Sequence, residues 1–234
     1  MNVPSIRTSD GPNGIRGQHH FNSTPTAAIP VGTALASTWN TELLHQVGEF
    51  LDLEARAKGV HVLLAPTVNI QRIPNGGRGF ESFSEDPLLS GKLAASYING
   101  FQSKGLAATI KHFVGNDQEN ERFSSDSVIS QRALREIYLK PFEIAIEESN
   151  PKALMTSYNK VNGVHVSEDE YLLKTILRGE WNWNGLVMSD WTGTYSTSDA
   201  LNAGLDLEMP GPGRWRGERV SHSLLSNKIL ESTL

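Results

Sequence analysis

The chain has 234 residues and a formal net charge of −5, long enough for one domain with a sizeable buried core. It contains no cysteine, which excludes disulfides, thiolate catalysis and cysteine-ligated metals. No basic stripe is present to neutralise phosphates and no apolar run approaches the roughly eighteen residues of a membrane span, so nucleic-acid and membrane partners are not expected.

The N-terminal stretch from Met1 to Arg7 lacks the apolar core of a secretion signal, and extracellular and cytoplasmic locations both stay open. Ser5–Ser9 predicts a first strand, followed by the turn-forming Ser9-Asp10-Gly11-Pro12-Asn13-Gly14. The sequon Asn22-Ser23-Thr24 carries little weight, because such triplets arise by chance. Gly32–Ala36 predicts a second strand. From Asn40 to Lys58, Leu43, Leu44, Val47, Phe50 and Leu51 recur at helical spacing. His61–Pro66 predicts the next strand, running out toward Asn69 and Arg72. Leu88 to Lys104 predicts a helix, with Glu85-Asp86-Pro87 as its start signal. Ala107–Ile110 predicts a strand ending at Lys111-His112. Arg132 to Glu148 predicts a helix with Leu134, Ile137, Tyr138 and Phe142 on one face, which Pro141 should bend or break. Ala153–Ser157 predicts a strand ending at Tyr158-Asn159, and Glu168 to Trp181 a further helix. Leu186–Ser189 predicts a strand ending at Asp190-Trp191, and Leu205–Met209 a last one carrying Glu208.

Strand and helix in alternation imply parallel strands with right-handed crossovers. An open doubly wound sheet and a closed barrel both satisfy that. Run after run ends in a polar, chemically useful residue, as expected where all strand ends converge on one mouth. An open sheet would gather its ligand contacts at one switch point. The predicted fold is therefore α/β, a TIM-type (β/α)8 barrel, incomplete at both ends. No repeat, low-complexity tract or linker divides residues 1–234, so they read as a single domain. The glycine cluster Gly76-Gly77-Arg78-Gly79 does not sit between a strand and a helix as a phosphate loop would. No His-x-x-x-His or carboxylate triad has metal-ligand spacing, and no cofactor is expected.

Residue by residue, the candidates stay ambiguous. Asp190, at a strand end beside Trp191, suits a carboxylate next to an aromatic sugar platform, and equally a helix cap. Lys111-His112 offers hydrogen-bond donors for hydroxyls, or a solvated loop. Tyr158 would orient a carboxylate or fill the core, and the Asp10 segment reads as a plain turn.

Together, however, these segments resemble glycoside hydrolase family 3, and specifically the barrel domain of its β-glucosidases. The motifs that carry the resemblance are Ser9-Asp10-Gly-Pro-Asn-Gly-Ile-Arg16, Gly77-Arg78-Gly-Phe-Glu-Ser-Phe-Ser-Glu-Asp-Pro87, Ile110-Lys111-His112-Phe113, Arg122-Phe123, Met155-Thr-Ser-Tyr158-Asn159 and Val187-Met-Ser-Asp190-Trp191. They occur in the family's order from Ile6 to about Trp215, and Pro210-Gly-Pro-Gly-Arg-Trp-Arg216 is similar to the yeast and fungal branch. The resemblance implies that Asp190 is the nucleophile and that Asp10 holds the far hydroxyls of the sugar. It implies a polar clamp of Arg78, Lys111, His112 and Arg122, with Tyr158 beside the nucleophile, Trp191 as platform and Arg16 near the pocket. His19, His20, His45, His61, His165 and His222 gain no support as site residues.

The function so implied is retaining hydrolysis of terminal β-D-glucosyl residues through a glycosyl-Asp190 intermediate, on a small β-glucoside or oligosaccharide substrate. Retaining enzymes need a second carboxyl group about 5–5.5 Å from the first. The resemblance places that acid/base on an α/β domain following the barrel, so the chain is expected to be a fragment with weak or no activity of its own. Glu81, Glu119 and Glu208 would substitute only by accident of position. An N-acetylglucosaminidase of the family would carry a histidine–aspartate pair in the loop after Lys111-His112, but Val114 to Asn120 has no histidine. A β-xylosidase of the same family stays as an alternative, although Asp10 suits a sugar with a 6-hydroxymethyl group. A catalytically silent sugar-binding barrel is the alternative from another class.

Overall fold

The computed structural model describes residues 4–17, 22 and 24–234; His19, His20 and Ser23 of the sequon lie outside the described residues. Five strands form one parallel sheet: β1 (Thr8–Asp10), β2 (Val62–Leu64), β3 (Ala107–Phe113), β4 (Ala153–Thr156) and β5 (Leu186–Ser189). Their order in the sheet is their order in the chain. A doubly wound sheet reverses direction at its switch point, whereas a barrel wall advances always to the same side. The sheet therefore has barrel-type winding. Register is set by pairs such as Asp10 with Leu64, Leu63 with Ala108, Ile110 with Leu154 and Met155 with Met188.

Side chains alternate across this wall, as the two-residue period of a strand requires. Leu64, Ala153, Met155 and Met188 make a small inner cluster. Leu63, Ala108, Ile110, Leu154 and Val187 point the other way, into the main core beneath the helices. That outer layer is built by α1 (Gly32–Ala36), α2 (Thr41–Ala57), α3 (Pro87–Gln102) and α4 (Lys140–Ser149). Asn40 caps α2 by accepting from the Leu43 amide, and Asp86 caps α3 from the Leu88 and Leu89 amides ahead of Pro87. α2 and α3 cross closely at two glycines: a Cβ on Gly48 would strike the Tyr97 carbonyl, and one on Gly100 the His45 carbonyl. Either substitution would push the helices apart.

Two predicted elements differ, and a third breaks where it was expected to. Gly32–Ala36 is a short helix, not a strand. Its Gly, Ala and Leu residues carry no β-branched run, and Thr33 Oγ1 ties it to the Gly79 carbonyl at 3.1 Å. The stretch from Arg132 to Glu148 is broken as Pro141 suggested: Gln131–Ala133 leads into a π-helical turn at Leu134–Tyr138, and α4 begins afresh with Pro141 in its first turn. Of Leu205–Met209, only Leu207 bridges to Met188. The Asp206 carboxylate, not a backbone carbonyl, takes the Val187 amide at 2.7 Å. The Glu168–Trp181 helix forms as a π-type helix over Tyr171–Glu180.

A second, small sheet was not anticipated. Asp126–Ser127 runs parallel to Lys160–Val161, which returns antiparallel as Val164–His165. Asn162 and Gly163 both have positive φ, 51° and 95°, the backbone a tight hairpin turn demands. This ribbon lies just after β4 and carries Tyr158 and Asn159 into place.

Candidate active site

Asp10, Lys111-His112, Tyr158 and Asp190 each stand at or just beyond the carboxyl end of β1, β3, β4 and β5. Parallel strands bring those ends together at one rim. Asp190 is buried, with 8% exposure. Its Oδ1 accepts from the Tyr158 hydroxyl at 2.9 Å and from the Trp191 amide at 2.7 Å, while its Oδ2 has no hydrogen-bond partner. The Asp190 carboxyl is held above its ordinary range by burial, which the Trp191 amide, Lys111, Tyr158 and Arg78 only partly offset. Burial and the neighbouring Asp190 charge push the Tyr158 phenol up, so it stays a donor at any working pH.

Around this pair the charged side chains form linked contacts. Arg16 pairs with Asp10, and Lys111 Nζ stands 4.0 Å from Asp10 Oδ1. Arg78 pairs with Glu81, whose other oxygen accepts from Thr67 Oγ1 at 3.0 Å. Burial works against the Arg78 charge, yet the Glu81 bond and the carboxylates of Glu81, Glu119 and Asp190 hold its pKa above the ordinary value. Burial likewise lifts Glu81, but Arg78, Lys111 and Thr67 bring it below the usual carboxylate range. Lys111 is pulled down by burial, against the opposing pull of Glu81, Asp10 and Asp190. Arg122 lies over the Tyr158 ring, 4.7 Å from its centroid, and binds Glu119 at 2.7 Å.

His112 Nε2 is 3.5 Å from Asp190 Oδ2. An ion pair there would need a protonated ring, and burial together with Arg78, Lys111 and Arg122 holds the imidazole pKa well below its ordinary value. The contact is thus between a neutral ring and a carboxylate. Trp191 packs beside Met209 against the inner cluster of Leu64, Ala153, Met155 and Met188, at the mouth of the barrel wall.

All nine residues expected at the site fall along this rim. Several others were not anticipated. Glu81 organises Arg78, and Asn69 holds His112 through the ring and the backbone. His165 Nδ1 and the Tyr195 hydroxyl both hold the Tyr158 carbonyl, at 3.0 and 2.9 Å, with their rings stacked 3.6 Å apart. The only sequence signal for His165 was its place two residues after the Asn162-Gly163 turn. The three glutamates weighed from the sequence as substitute acids are all engaged: Glu81 with Arg78, Glu119 with Arg122, and Glu208 with the amides of Arg214, Trp215 and Arg216. Among the described residues, no group of three or more His, Cys, Asp or Glu is placed to hold a metal ion.

Residues 1–232 match the family described as the glycosyl hydrolase family 3 N terminal domain. A protein of Neosartorya fischeri named "Probable beta-glucosidase I" is 60% identical over 99% of this chain, which spans 28% of that protein. Its namesake in Aspergillus niger is 59% identical over the whole chain, which spans 29% of it. Among solved structures, a β-glucosidase from Kluyveromyces marxianus in complex with glucose superposes with a TM-score of 0.96 at 54% identity, over 98% of this chain and 28% of that one. β-Glucosidase 3B from Thermotoga neapolitana in complex with glucose gives 0.92 at 46% identity, over 99% of this chain and 34% of that one.

Proposed function

The chain belongs to glycosyl hydrolase family 3, and we propose that it is the glycone-binding, nucleophile-bearing barrel of a retaining β-glucosidase, a single domain over residues 1–234. The observation that carries this reading is the asymmetry of Asp190: one oxygen is saturated by Tyr158 and the Trp191 amide, and the other is free of donors. A carboxylate held that way presents one oriented oxygen for attack on an anomeric carbon. Attack forms a glycosyl–Asp190 ester as the leaving oxygen departs with a proton from a second acid, and water then releases the sugar with retention. Lys111, Arg78, Arg122, Asp10 and Arg16, together with the neutral His112, hold the hydroxyls, and the charge-assisted bonds of the five charged groups are worth about 1.5–3 kcal/mol each. Trp191 offers its ring to the sugar's C–H face. The glucose-bound relatives support a small sugar as ligand.

The engaged state of Glu81, Glu119 and Glu208 supports a division of labour in which the acid/base comes from a domain beyond this barrel. Two experiments test these readings. Treatment of the enzyme containing this chain with a 2-deoxy-2-fluoro-glucoside, followed by peptide mass spectrometry, should place the label on Asp190; a label on any other residue overturns the assignment. The 234-residue chain by itself should bind glucose yet leave cellobiose intact, because general acid help of about 10²–10⁴-fold would be missing. Ready cellobiose hydrolysis would put the acid within the chain.

A further inference from the structure

Asn69 lies five residues past the end of β2, and its side-chain amide touches three atoms of His112. Its Oδ1 accepts from the His112 backbone N–H at 2.9 Å, and its Nδ2 donates to the His112 carbonyl at 2.9 Å. Those two bonds determine which way the amide points, since a flipped amide would set donor against donor and acceptor against acceptor. The oxygen so oriented is also 3.1 Å from His112 Nδ1. An amide oxygen has two lone pairs and accepts both hydrogens. Nδ1 therefore has to carry its proton: a bare Nδ1 would put two lone pairs in contact inside a site where His112 and Asn69 are 2% and 6% exposed.

The other ring nitrogen faces Asp190 Oδ2 at 3.5 Å, the outer edge of hydrogen bonding. With the proton on Nδ1, two acceptors face each other there, and Oδ2 is left without a donor, as observed. Both can be satisfied only by hydrogens brought in from outside. We infer that Asn69 is a positioning residue that locks His112 as the Nδ1–H tautomer, so that Nε2 meets the pocket as an acceptor and selects a ligand hydroxyl able to donate. Lys111, Arg78 and Arg122 are donors only, so His112 supplies the clamp with the opposite polarity. The imidazolium form, which would be a donor as well, is opposed by the burial of His112 and by those three cations. The ligand half of the inference rests on the glycone reading of the pocket; the tautomer half does not.

Long-range ¹H–¹⁵N spectra of the 234-residue chain report the tautomer directly. His112 should show the neutral Nδ1–H pattern at neutral pH. Asn69→Ala should shift it toward Nε2–H, which can then donate to Asp190, and raise the Kd for glucose about tenfold. Asn69→Asp keeps both acceptor contacts and should restore Nδ1–H. Added glucose should move the Nε2 resonance as its lone pair accepts a hydrogen bond. An Nε2–H pattern in the unaltered chain overturns the lock without any variant, and so does an Asn69→Ala protein that folds and keeps Nδ1–H. Glucose that shifts other pocket resonances but leaves Nε2 unmoved overturns the donor selection alone. Glucose that shifts none of them removes the glycone reading and leaves the tautomer result standing.

Discussion

The Tyr158 hydroxyl donates to Asp190 Oδ1 across 2.9 Å, joining the end of β4 to the end of β5 over a separation of 32 residues. Because the phenol cannot ionise near neutral pH, this bond is permanent and fixes the plane of the carboxylate. Its loss should be felt in the chemistry more than in binding. Tyr158→Phe is expected to slow formation of the glucosyl-enzyme by roughly 10–100-fold, the worth of a hydrogen bond to a charged group, with a small change in KM. Pre-steady-state release of an aryl leaving group measures it, and an unchanged rate would remove Tyr158 from the support of the proposed nucleophile.

Asp10 pairs with Arg16 and faces Lys111 at 4.0 Å. If it holds the hydroxymethyl end of the sugar, Asp10→Ala should weaken glucose binding about tenfold or more and xylose binding far less. Titration calorimetry with both sugars decides it, and equal losses would remove the preference for a glucoside over a xyloside.

Asp190 is a carboxylate whose folded pKa lies above its ordinary 3.8 because it is buried. Such a group favours the fold fully below pH 3.8 and loses that contribution as pH rises through its folded pKa. Asp190→Asn removes the buried charge. The variant should melt above the unaltered protein at neutral pH, with the gain fading toward pH 4 as both side chains become neutral. A gain that grows on acidification would contradict the burial effect.

Asp117 offers a stronger case outside the proposed chemistry. Burial raises its pKa to about 7, against a weaker opposing pull from Arg72 and the Ile70 amide, and its Oδ1 has no partner. By the same sign, Asp117→Asn should stabilise the chain above about pH 7 and not below about pH 4. A rise from 3.8 to about 7 corresponds to about 4 kcal/mol; partial exposure reduces the expected gain to about 2 kcal/mol. Urea unfolding at pH 8 and pH 4 tests it, and equal midpoints for variant and parent at pH 8 would refute it.

The sequence by itself determined the periodic helices, the parallel strands and the local motifs at their ends, because those depend on neighbours a few residues apart. It marked Asp190, Tyr158, Lys111 and Asp10 for the same reason: each stands at or just beyond a strand's end, and the winding of the sheet carries every such end to one rim. It misread Gly32–Ala36, where small residues follow their tertiary partner rather than an alternating pattern. It left the Asn162-Gly163 hairpin unread, although that turn signal was present. Only the tertiary structure decided which charges neutralise one another and which side chains orient the site. Arg16 meets Asp10, Asn69 reaches His112 across 43 residues, and His165 and Tyr195 converge on the Tyr158 carbonyl. Whether a given glutamate is a free acid or half of an ion pair, and which nitrogen of His112 carries the proton, depends on burial and on partners distant in the chain. No local pattern of residues encodes either one.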